Sequence, residues 1–139
     1  IEPWQLIFEV TECSTFCNAE QALHILRQLQ KMGVRIAIDD FGTGYASYAR
    51  LKSVDADILK IDGSFIRNIV NNSLDYQIVA SICHLARMKK MLVVAEYVES
   101  EEIRSAVHAL GIDYVQGYLI GRPAPLESLL EAEASTADA

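Results

Sequence analysis

Positive charge is scarce in this chain. It carries 12 Lys and Arg against 19 Asp and Glu, a formal net charge of −7. A surface of that sign cannot draw affinity from the phosphate backbone of long nucleic acid. A small anionic ligand stays accessible if a divalent cation mediates the contact. Long apolar runs are missing too: Asp, Lys, Arg or Gly interrupts each one short of a membrane span. Only 3 cysteines are present, Cys13, Cys17 and Cys83, with no CxxC pair and no histidine at metal-binding spacing. That argues against a disulfide framework or a thiolate zinc site and predicts reduced thiols in a cytoplasmic protein. The 3 histidines, His24, His84 and His108, all fall inside helical patterns and are expected at surface or boundary positions. No signal peptide opens the chain. Its start at Ile1-Glu2-Pro3, without Met, leads to the expectation that it is a piece of a longer protein.

What is present is apolar and evenly spread. Hydrophobic residues fill 51% of the 139 positions, as expected for one domain whose strands are buried on both faces. Leu6–Val10 reads as a short strand. A helix follows, capped at Asn18 with Gln21 reaching back, striped by Ala22, Leu23, Leu26 and Leu29, and closed at Gly33. Next come a second strand (Val34–Ile38), a short helix (Ala46–Lys52) and a third strand (Asp57–Asp62). Ser73–Lys90 is the longest helical pattern, Leu92–Glu96 the fourth strand, and Ser100 caps a helix that ends at Gly111. Asp113–Tyr118 is the fifth strand and Leu126–Glu133 the last helix, with residues 134–139 expected to fray. Strands alternating with helices over residues 1–133, without a compositional break, predict an α/β fold: one parallel sheet with outer helices.

The second strand runs into Asp39-Asp40-Phe41-Gly42-Thr43-Gly44. Neighbouring strand residues point to opposite faces. Both carboxylates can therefore serve one site only where the strand ends and the chain turns, a turn that Gly42 and Gly44 permit by taking φ > 0. An Asx turn capping the next helix is the simpler use of such a pair. The other strand ends weigh against it, because Glu9, Lys60 with Asp62, Glu96 and Gln116 occupy the same place on their own strands. Parallel strands bring those ends to one rim, where βα barrels carry their chemistry. Carboxylates a few ångströms apart resist ionising together, and their oxygens suit Mg²⁺ or Mn²⁺. A two-metal rim of this kind is built for phosphate-ester hydrolysis, with a lysine to orient water and offset charge on phosphate. No serine, cysteine or histidine nucleophile is needed.

The segments Glu9-Val10-Thr11-Glu12, Asp39-Asp40-Phe41-Gly42-Thr43-Gly44-Tyr45, Lys60-Ile61-Asp62, Ala95-Glu96-Tyr97-Val98-Glu99 and Asp113-Tyr114-Val115-Gln116-Gly117-Tyr118 with Arg122-Pro123 follow in that order. In them the chain resembles the EAL domain, the cyclic di-GMP phosphodiesterase family of bacterial signalling. The resemblance covers nearly the whole chain. It implies the C-terminal part, about five βα units, of a TIM-type (βα)₈ barrel whose complete form linearises cyclic di-GMP to pGpG. It implies Glu9 as a ligand of a first Mg²⁺ or Mn²⁺, Asp39 as the bridge to a second, and Asp40 and Glu96 as completing that second site. Lys60 would hold the attacking water, with Asp62 close behind it. Gln116, Thr43 and Pro123 would contact the substrate. Glu12 would anchor the loop Phe41–Ser47, which couples dimerisation to activity, and Glu99 would support the ligands from behind. GGDEF and sensor modules in the parent chain are implied as well, with the parent anchored to the inner membrane by its other domains.

Two features depart from the family pattern. Tyr97 stands where glycine is usual. The Glu-Ala-Leu strand and the later metal-binding Asn are absent from the sequence, and a complete barrel needs about 250 residues. The chain alone is therefore expected to be inactive. Five strands would leave open edges and an uncovered inner face, which predicts a homodimer or oligomer through that face. The alternative reading is an EAL domain that binds cyclic di-GMP, or tunes an attached cyclase, without turnover.

Overall fold

Parallel pairing requires a long crossover between successive strands, and each strand here is followed by one. The computed structural model describes residues 1–11, 19–44 and 47–137. Among them, five strands form one parallel sheet: β1 (Ile7–Val10), β2 (Arg35–Phe41), β3 (Ile58–Ile61), β4 (Leu92–Ala95) and β5 (Tyr114–Val115). Their spatial order is β1-β2-β3-β4-β5. Strands that sit in the order they are made are wound as in a barrel, whereas a doubly wound sheet reverses direction at a switch point. The helices are α1 (Ala19–Lys31), α2 (Ser47–Ser53), α3 (Gly63–Ile66), α4 (Ser73–Met88), α5 (Glu101–Ala109) and α6 (Leu126–Ala137).

The middle of the sheet makes the core. Ile36, Ile38 and Phe41 of β2 and Leu59 and Ile61 of β3 are fully buried. They belong to one cluster with Val79, Ile82 and Ala86, a stripe at helical spacing on α4, and with Val107 of α5. Carboxylates at the starting ends of strands tie neighbours together. Asp57 Oδ2 accepts from the Ile36 amide at 2.8 Å, and Asp113 Oδ2 accepts from the Val93 amide at 2.8 Å. Asn72 caps α4 by accepting from the amides of Leu74 and Asp75, and Ser100 caps α5 by accepting from that of Ile103. At the β1 edge the sheet is bare: Ile7 and Phe8 are exposed, as is Trp4 beside them.

Several boundaries differ from the sequence reading. β2 does not stop at Ile38 but runs through the Asp pair to Phe41. A single-turn helix, α3, follows Asp62, and it is too short to show an apolar stripe. A 3₁₀ turn occupies Pro3–Gln5. β5 is reduced to Tyr114–Val115, and α6 continues to Ala137. His24, His84 and His108 lie exposed on α1, α4 and α5. Cys83 is buried and free, while Cys13, Cys17 and the Asn18 cap lie outside the described residues.

Candidate active site

Register decides which side chains share a face. Glu9 pairs with Ala37, Ala37 with Ile58, Lys60 with Val94, and Val94 with Tyr114. Alternation then places Glu9, Asp39, Lys60, Glu96 and Gln116 on one face, at the ends of the five strands. In a regular strand Asp40 would point away. However, Ile38 pairs with Leu59 and Phe41 with Ile61, so Asp39 and Asp40 together stand opposite Lys60 alone. That is a β-bulge. Asp40 adopts φ +53 within it, and Gly42 follows at φ +106. The sequence reading placed the necessary turn at Gly42 and Gly44. Instead Asp40 itself is left-handed, which a short polar side chain tolerates, and Gly44 is not among the positive-φ residues.

The bulge brings Asp40 to the rim. One carboxylate oxygen from each of Asp39, Asp40 and Glu96 lies within 4.8 Å of the others. Lys60 is set into the same rim with a side chain only 7% exposed. Its Nζ lies 2.8 Å from Glu9 Oε1, 3.0 Å from Glu96 Oε1 and 3.3 Å from Asp39 Oδ1. Burial alone would pull the ammonium down. The hydrogen bonds that Lys60 donates to Glu9 and Glu96, with the charges of Glu96 and Asp39, outweigh it and hold Lys60 above the usual lysine range. Burial pushes the Glu96 carboxyl up, against the pull of Lys60. Asp40 is pushed up by desolvation, then by repulsion from Asp39 and Asp62. The cluster thus carries more negative charge than Lys60 neutralises.

Beside these carboxylates opens a cleft of about 520 Å³, lined by Asp40, Glu96, Arg67, Tyr97, Gln116 and Tyr118 and shared with exposed Glu99. Tyr97 has φ +56, a conformation that costs a non-glycine residue about 1–3 kcal/mol. Asp62 is not among the groups within ion-pair reach of Lys60. It caps α3, accepting from the Ser64 amide at 2.8 Å. Thr43 Oγ1 donates to the Asp40 carbonyl at 3.0 Å, so it braces the bulge. Pro123 is exposed between β5 and α6 and is not part of the cleft lining. Glu12, and Tyr45 and Ala46 of the loop Phe41–Ser47, lie outside the described residues. Sequence reasoning missed Arg67, whose guanidinium carbon is 4.3 Å from the Tyr97 ring centroid. A lone arginine at the end of a one-turn helix carries no periodic signal.

Asp39, Asp40 and Glu96 form a donor set that fits a hard divalent cation. Oxygen ligands converge, and the carboxyls of Asp40 and Glu96, both pushed up in the fold, gain from added positive charge. Three protein oxygens leave room for water and phosphate in an octahedral shell. Glu9 stays outside that group, held by Lys60.

Comparison with known proteins places this geometry. A model described as the EAL domain matches residues 1–123. The cyclic di-GMP phosphodiesterase PdeF of Escherichia coli is 75% identical over 134 residues, covering 96% of this chain and 18% of PdeF. A bifunctional diguanylate cyclase/cyclic di-GMP phosphodiesterase, MucR of Pseudomonas aeruginosa, is 46% identical, covering 96% of this chain and 20% of MucR. Among solved structures, a manganese/cyclic di-GMP complex of Klebsiella pneumoniae BlrP1 is 34% identical with a TM-score of 0.83. The match covers 89% of this chain and 32% of that one. The chain thus spans about a fifth of the length of these curated relatives.

Proposed function

The chain belongs to the EAL domain family, and from that premise we propose that the complete domain containing it hydrolyses cyclic di-GMP to pGpG. The observation that carries this reading is the bulge at Asp39-Asp40, which joins Asp39, Asp40 and Glu96 into one oxygen cluster beside a buried lysine. When bound, Mg²⁺ or Mn²⁺ would supply Lewis acidity toward a phosphoryl oxygen and lower the pKa of water. Asp39, Asp40 and Glu96 would hold the cation, and Asp39 and Glu96 also lie within ion-pair reach of Lys60. Lys60, kept protonated by its carboxylate partners, donates to the attacking water and offsets charge gathering on phosphate. Glu9 fixes the Lys60 ammonium from the far side. Gln116 lines the cleft and contacts the ligand; Glu99, exposed in the same cleft, supports the ligand side chains.

Asp39→Asn in the complete domain tests the mechanism. Hydrolysis with Mn²⁺ is expected to fall at least about a hundredfold, because the substitution weakens the cation site and unbalances Lys60 together. Full activity in that variant would remove the mechanism. The intact carboxylate cluster and the phosphodiesterase names of the relatives favour turnover over a purely regulatory role. We further propose that the domain works in the cytoplasm, as a homodimer, in a parent chain with GGDEF and sensor modules. The bifunctional relative, which carries a diguanylate cyclase, supports the cyclase module of that architecture.

A further inference from the structure

Tyr97 is placed against two local preferences at once. It takes φ +56, a conformation suited to glycine, immediately after the cluster residue Glu96. Its ring also lies against the Cα of Gly63, where any Cβ would collide with it. Core packing does not account for the arrangement, since Tyr97 remains 47% exposed. Instead the ring opens onto the cleft that also holds Asp40, Glu96 and Gln116. Arg67, at the end of α3, lays its guanidinium over that ring at 4.3 Å from the centroid. Strained non-glycine backbone clusters at active sites and ligand clamps.

We propose that Tyr97 and Arg67 form a stacking platform for one planar base of a cyclic dinucleotide, whose scissile phosphate sits at the Asp39–Asp40–Glu96 rim. Guanidinium planes and aromatic rings are the surfaces on which unpaired bases stack. The platform borders the carboxylates along one continuous cleft, so base and phosphate of the same small ligand reach both. Gly63 acts as the slot that lets the ring lie flat. This inference rests on the phosphodiesterase reading.

The test uses the full-length parent chain with Mn²⁺. Arg67→Met and Tyr97→Gly are each expected to raise KM for cyclic di-GMP about tenfold while kcat stays within about twofold, and Tyr97→Phe to keep the parent KM. A cyclic dinucleotide carrying 2-aminopurine is expected to lose fluorescence on binding the parent and to keep it on binding Tyr97→Gly. Arg67 is exposed, so thermal unfolding of Arg67→Met is expected to match the parent. Parent-like KM and quenching in both variants, or a loss confined to kcat, would overturn the platform and leave the phosphodiesterase reading standing. A parent chain that neither binds nor cleaves cyclic di-GMP would remove both.

Discussion

Single residues in this chain do work that their neighbours make possible. Lys60 is the clearest case: a buried ammonium is tolerable only because Glu9, Glu96 and Asp39 surround it. Removing one member of such a group leaves charge uncompensated, at about 3–5 kcal/mol for a fully buried pair. Lys60→Met is therefore expected to lower the melting temperature of the chelator-treated domain, measured by calorimetry, and to abolish most turnover. The raised pKa of Lys60 adds stability that is complete below 10.5 and fades at higher pH as the folded-state value is passed. Asp40 has the opposite sign. Its pKa is raised above 3.8 in the fold, so the folded chain holds a proton that the unfolded chain releases. The charged form detracts from stability at neutral pH, and the deficit closes as pH falls. Asp40→Asn should raise the melting temperature at pH 7 in chelator by no more than about 2 °C, with the gain vanishing near pH 4.

Whole elements explain why these residues meet. β1 to β3 deliver one charged side chain each to a common face through simple alternation, and Glu96 and Gln116 follow just past β4 and β5. The bulge in β2 adds Asp40. Deleting Asp40 alone should leave Asp39 as the single residue opposite Lys60, with Phe41 still paired with Ile61 in a regular ladder. Circular dichroism is then expected to stay native while calorimetric titration with Mn²⁺ loses its binding signal. Retained binding would show that the bulge is dispensable. The helix after β3 is equally specific, because α3 exists in the room that Gly63 leaves under the Tyr97 ring. Gly63→Ala should destabilise the domain by about 1–3 kcal/mol, and adding Tyr97→Gly should recover most of that loss. At the opposite sheet end, Asp57→Ala strands the Ile36 amide and is expected to cost about 1–3 kcal/mol without changing KM.

At the scale of the whole molecule the sheet is open. Ile7 and Phe8 of β1 and Trp4 beside it are exposed, as are Leu126, Leu129 and Leu130 on α6. An unpaired apolar edge is a template for another strand, and a contiguous apolar face draws a partner. The 139-residue chain on its own is therefore expected to sediment as a dimer or larger species at micromolar concentration. A stable 15.4 kDa monomer with cooperative unfolding would contradict this.

The sequence alone determined the alternation of strand and helix, the parallel sheet and the identity of the rim residues. Each of these follows from short-range periodicity and from charge placed at the end of an apolar run. Glu9, Asp39, Lys60 and Glu96 were legible for that reason. Tertiary structure decided the rest. Whether Asp39 and Asp40 face one site depends on pairing with β3, where two residues oppose one. That Arg67 meets Tyr97 over Gly63 depends on chain segments distant in sequence coming into contact. Local pattern records which residues are charged or apolar, but register and close approach arise only when separate segments pack.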